Sequence, residues 1–124
     1  MKAEQRANQI WPVLALAATN RQVLTYDMVA RLIGVTRVGM GQLLEPIQSY
    51  CLVHRLPPLT VLVVSKDTGM PGQGFIAGSD GIPATQASVF AHDWLATPCP
   101  SPEQLESASR ELPSNRTTPV QSTN

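Results

Sequence analysis

Charge and aromatic side chains are scarce in this chain. Only 15% of its residues are charged and 5% are aromatic, and nine basic residues balance nine acidic ones. A neutral total excludes the wholesale attraction that a strongly basic protein has for nucleic acid or an anionic membrane. Cysteine is nearly absent, with Cys51 and Cys99 the only two. Cys51 falls in an apolar helical pattern and Cys99 in a proline-rich stretch. Neither a disulfide framework nor a metal-type spacing is expected from that pair, and no cofactor is implied. The longest apolar run, Ile10–Ala18, is far shorter than the roughly 20 residues a spanning helix needs. The N-terminus lacks the basic start, clean apolar run and cleavage site of an export signal. The expectation is a cytoplasmic chain without membrane contact.

What is present suits one small domain. The 124 residues are 43% hydrophobic, enough for a single core with little margin. The charges are uneven: residues 1–75 hold seven basic side chains against four acidic ones. That part of the chain is mildly basic and compatible with phosphate contacts.

Apolar spacing predicts a first helix over Ala3–Ala18, with Pro12 kinking it and Asn20 suited to a left-handed cap. After the short β-prone stretch Gln22-Val23-Leu24, Thr25 offers a side-chain oxygen to cap a second helix, Tyr26–Ile33. Met28, Val29, Leu32 and Ile33 would form its apolar face, and Gly34 stops it. Thr36 is a second capping residue, opening a longer helix over Arg37–His54 that Pro46 should bend. Pro57-Pro58 breaks the pattern. The run Leu59–Val64 reads as a buried strand, Asp67-Thr68-Gly69 as a tight turn, and Met70–Phe75 as a glycine-rich return or loop. A last helix is expected over Ala84–Ala96, with Val89, Phe90, Trp94 and Leu95 buried. From Pro98 to Asn124 the chain is rich in Pro, Ser and Thr, and a disordered tail is expected, with a transient helix over Glu103–Leu112.

Three helices, the second and third joined by the tight link Gly34-Val35-Thr36, followed by a strand and a return, give the order of a winged helix: helix-turn-helix, then a short β-hairpin. The expected architecture is therefore an α/β winged-helix-like domain over residues 1–97, including a C-terminal helix, and a tail over 98–124. In such a unit the third helix presents its first turn to DNA. Here that turn carries Thr36, Arg37 and Gln42. Arg37 can bond a phosphate or a base edge, and Gln42 a base edge or the backbone. Lys66, at the base of the return, could add one phosphate contact.

The segment Val23-Leu24-Thr25-Tyr26-Asp27-Met28-Val29-Ala30-Arg31-Leu32-Ile33-Gly34 resembles the helix-turn-helix entrance of the alkylguanine DNA alkyltransferases and their inactive alkyltransferase-like relatives. That family has the pattern Val-x-Thr-Tyr-Gly-x-(Ile/Leu/Val)-Ala-x-x-x-Gly at this place. Arg37-Val38-Gly39-Met40-Gly41 is similar to its Arg-x-Val-Gly segment, offset by about a residue. Leu56–Val64 occupies the place of its Pro-Cys-His-Arg-Val-Val strand, and the resemblance covers about residues 8–76. It implies that Tyr26 sits by the DNA backbone, near the phosphate of an extruded nucleotide, and that Arg37 fills the stack behind a flipped base.

The departures are chemical. Leu59 or an apolar neighbour stands where the family has its nucleophilic cysteine, and the histidine and arginine that follow are absent too. Without an activated thiolate, direct alkyl transfer is excluded, and Cys51 in its apolar pattern is packing. Asp27 replaces the family's glycine. It suits the helix dipole and repels phosphate.

Other candidate sites are weaker. His54 and His92 are far apart and have no carboxylate pair at ligand spacing. Met70–Phe75 lacks the Lys-Ser/Thr of a phosphate-binding loop. The sequence therefore points to a non-enzymatic protein that binds double-stranded DNA through Thr25, Tyr26, Thr36, Arg37, Gln42 and Lys66. The alternative is a small adaptor or inhibitor, of the kind a mobile element carries, that binds another protein through the same scaffold.

Overall fold

The computed structural model describes residues 1–72 and 81–112. The first helix, α1 (Ala3–Thr19), runs through Pro12. A proline inside a helix leaves the carbonyl four residues earlier without its donor. Here that is the Asn8 carbonyl, which the Cys99 thiol approaches at 3.9 Å. The Asn8 amide in turn donates to the Pro100 carbonyl at 2.8 Å. The proline thus opens a docking point on α1 for the chain that returns ninety residues later.

Helix α1 does not end on Asn20 in a left-handed conformation, as expected. Arg21 takes that conformation, with φ 55°. Gln22 N–H closes onto the Ala17 carbonyl at 2.8 Å, and Arg21 N–H onto Ala18 at 3.1 Å. This six-to-one closure places the left-handed residue one step beyond the cap.

Strand β1 (Leu24–Thr25) leads directly into α2 (Tyr26–Ile33), with the expected bounds. Thr25 Oγ1 accepts from Met28 N–H at 3.1 Å, and Gly34 at φ 79° provides the left-handed stop that side chains disfavour. The helix expected from Arg37 starts later. Arg37–Gly39 form a 3-10 turn, and α3 spans Met40–Val53. Gly39 and Gly41 lower helix propensity there, and Thr36 makes no side-chain cap.

The expected strand over Leu59–Val64 is mostly a 3-10 turn, Leu59–Leu62. Only Val63–Val64 is extended, forming β2, and it pairs parallel with β1 in the register Leu24–Val63 and Thr25–Val64. Leu59, Val61 and Leu62 are all fully buried, so side chains of this run are covered in every direction, which a turn accommodates and a two-faced strand does not. The hairpin ladder of a winged helix is thus absent among the described residues. Among the described residues the one antiparallel contact is a bridge between Val64 and Pro71. The remainder of the expected return, residues 73–75, lies outside the described residues. The coarse class stands: a small, mostly helical α/β domain.

Helix α4 (Gly81–Ala91) stops before Trp94–Ala96, a 3-10 turn capped by Asp93. Val89 and Trp94 are buried as expected, whereas Leu95 is exposed. The largest correction concerns the tail. Residues 102–111 form α5 (Pro102–Glu111), which packs against α1 and α3. Ser101 and Gln104 make a reciprocal capping box, with Ser101 Oγ accepting from Gln104 N–H at 3.1 Å and Gln104 Oε1 from Ser101 N–H at 2.8 Å. Leu105 and Ala108, three apart on one face, enter the core. Only a transient helix over Glu103–Leu112 was expected here from the low apolar content, but two well-placed side chains on a capped turn are enough to dock it when a groove awaits them. The folded part therefore extends past residue 97 to at least Leu112. Residues 113–124 lie outside the described residues.

The core centres on Trp11. Its ring meets Tyr50 edge-on at 5.5 Å and Trp94 edge-on at 5.8 Å, the geometry that aromatic quadrupoles favour. Ile10, Leu14, Met40, Ile47, Leu59, Leu62 and Leu105 belong to the same core, all fully buried. Among the described residues, no helix is long and apolar enough to cross a membrane.

Candidate functional site

Because β1 and β2 run parallel, their carboxyl ends open on the same edge of the sheet. Thr25-Tyr26-Asp27 follow one strand and Ser65-Lys66 the other. In α/β arrangements this edge is where ligands sit, outside the ends of the strands. The two segments and Arg37 line a small cleft, made of Thr25, Tyr26, Asp27, Arg37, Ser65 and Lys66. Four of the six residues expected to touch DNA therefore meet here: Thr25, Tyr26, Arg37 and Lys66. Thr36 is exposed in extended backbone beside Arg37. Gln42 is exposed in the first turn of α3 and does not line the cleft.

The electrostatics favour an anion. The N-terminus of α2 faces the cleft and carries the positive end of the helix dipole, about half a charge. Arg37 and Lys66 are exposed, and neither has an acidic partner among the described residues. The one carboxylate, Asp27, lies 3.9 Å from Arg31 in an exposed i,i+4 pair. Such a pair contributes little stability, yet it turns part of the opposing charge toward Arg31. The cleft encloses about 30 Å³, room for a water or two or a single phosphate oxygen. A nucleobase does not fit.

A turn over Ser65–Met70 holds Lys66. Ser65 N–H donates to the Met70 carbonyl at 2.9 Å, and Gly69 N–H to the Ser65 carbonyl at 2.7 Å. Ser65 Oγ accepts from Asp67 N–H at 3.2 Å. Beyond the Val64–Pro71 bridge, Gly72 N–H donates to the Tyr26 hydroxyl at 2.7 Å. A Cβ at Gly72 would run into that hydroxyl, so any other residue there forces the Tyr26 ring or the turn to shift. Sequence reasoning missed Ser65 and Gly72. The only local signal was the glycine-rich character of Met70–Phe75, and the partner of Gly72 lies 46 residues away.

The remaining candidates are structural. Both cysteines are free. Burial pushes the Cys51 thiol up to about 12, only partly offset by the Leu59 backbone N–H, so this thiol is a core group and not a nucleophile. His54 stacks on Tyr50 at 4.1 Å, and His92 Nε2 bonds Thr97 Oγ1 at 2.8 Å. No metal-ligating cluster occurs among the described residues. Comparison with models of protein families, with curated proteins and with solved structures finds no match.

Proposed function

We propose that this protein binds double-stranded DNA without catalysing a reaction, and that it grips the phosphate backbone at the cleft between α2 and the Lys66 turn. One observation carries this proposal: Arg37 and Lys66, both exposed and without acidic partners among the described residues, line one cleft with the positive end of α2. Three sources of positive potential converge on a space the size of a phosphate oxygen, which favours backbone contact over enclosure of a nucleotide. The likeness of Val23–Gly34 to the alkyltransferase entrance belongs to the same proposal. The extruded-base step is not part of it, since Asp27 stands at the cleft. Fluorescence anisotropy with a labelled duplex tests it. Arg37→Ala and Lys66→Ala should each weaken binding, and the double variant should nearly abolish it. Equal affinity of all four proteins would overturn it.

A second function, binding another protein, is favoured by a different feature. Met28 and Leu32, one turn apart on α2, are 48% and 65% exposed, and Val38 in the following 3-10 turn is 92% exposed. These were expected in part as core. Apolar side chains left outside on a helix-turn-helix suit a protein contact. Leu32→Glu should then abolish retention of a partner from lysate while leaving DNA affinity intact.

A further inference from the structure

We propose that Tyr26 is a positioning residue for Lys66; this rests on the DNA-binding proposal above. The acceptor side of the Tyr26 hydroxyl ties it to the Lys66 turn. It accepts from Gly72 N–H at 2.7 Å in a half-buried setting, and Gly72 has no room for a side chain against it. The segment between them is closed on itself. Its stem is the Val64–Pro71 bridge, and its interior is fixed by the Ser65–Met70 and Gly69–Ser65 backbone bonds. Thr68 Oγ1 adds a bond from Met70 N–H at 3.1 Å. A turn this tightly bonded moves as one piece, and the Tyr26–Gly72 bond is the tie from its far end to α2. Lys66 rides on that piece and lines the cleft together with Arg37. Holding the backbone beneath a flexible ammonium side chain lowers the ordering entropy lost when it neutralises a phosphate. Tyr26 therefore sets the separation of the two cationic side chains through Gly72.

Direct contact and positioning differ in a measurable way. A neutral hydroxyl on a phosphate displaces no counterion, so its removal lowers affinity and leaves the salt dependence alone. Loss of a placed ammonium lowers the slope of log affinity against log salt by about 0.9. The experiment measures duplex affinity across a salt series for wild type, Tyr26→Phe, Lys66→Ala and the double variant, with thermal melts as a control for folding. Tyr26→Phe should lose roughly fivefold in affinity at low salt, about 1 kcal/mol, and should share the shallower slope of Lys66→Ala. The double variant should be no weaker than Lys66→Ala alone. An unchanged slope in Tyr26→Phe, or losses that add, would overturn the proposal. Partial unfolding would lower the active fraction at every salt concentration and leave the slope unchanged. If wild type shows no salt-dependent binding, the DNA assignment fails, and amide exchange then decides the positioning alone. Faster exchange at Gly72 and a shifted Lys66 amide in Tyr26→Phe would support it, and unchanged exchange would overturn it.

Discussion

The Arg6 guanidinium on α1 donates to the Ile33 carbonyl at the end of α2, at 2.8 Å across 27 residues of sequence. Ile33 carries one of the terminal carbonyls that a helix leaves without an internal donor. A cation suits that end of the dipole, so this bond both caps α2 and fixes its angle to the core helix. The angle matters because the opposite end of α2 forms the cleft. Arg6→Ala should cost about 1.5–3 kcal/mol in urea unfolding, the usual range for a charged hydrogen bond, and Arg6→Lys should recover part of it. A cost near zero would mean that water replaces the guanidinium without penalty.

Leu105 is fully buried between α1 and α3. Leu105→Ala should lose about 2–5 kcal/mol, and a chain ending at Thr97 should lose cooperative thermal unfolding. A melt of that shortened chain superimposing on the full-length one would contradict the packing of α5.

How far the sequence revealed this fold depends on where the signals lie. Helix α2 was legible to the residue because both its stops are local: the Thr25 hydroxyl at one end and Gly34 at the other. Helix α5 was legible only as a transient helix over Glu103–Leu112, because the prolines and scarce apolar residues around it spoke for disorder, although Ser101-Pro102 and Gln104 spell a capping box in plain sequence. Leu59–Val64 was misread because an apolar β-branched run looks alike in a buried strand and a buried turn. The parallel pairing of Leu24 with Val63 has no local signature at all. For the site, helix-turn-helix order marked Arg37, and the resemblance of Val23–Gly34 to the alkyltransferase entrance marked Tyr26. Neither could show that β2 carries Lys66 to them, or that Gly72 N–H meets the Tyr26 hydroxyl.

Gly72→Ala places a methyl where the Tyr26 hydroxyl sits. Either the ring or the turn must shift, at a cost of about 1–3 kcal/mol, readable as a lower melting temperature. Gly39→Ala, where a Cβ meets open space, should be neutral or slightly stabilising. Equal effects from the two would contradict the close approach.

The Cys51 thiol gives a pH signature. The unfolded chain releases this proton near its ordinary value of 9, while burial holds the folded thiol protonated up to about 12. Between those values the unfolded state binds fewer protons, so stability falls as pH rises, by up to about 1.4 kcal/mol per pH unit. Below pH 9 the contribution is fully present. Cys51→Ala should lower stability overall and flatten this alkaline decline by about one proton. Ellman's reagent should titrate Cys99 in the native protein and both thiols in urea. A Cys51 that reacts in the native state would contradict its burial.

The most direct test of the central claim is the affinity of the wild-type protein for a mixed-sequence duplex, measured from low to physiological salt. If Arg37 and Lys66 each neutralise one phosphate, log affinity falls linearly with log salt with a slope of about −1.8. A flat line, or no binding at low salt, would contradict the account.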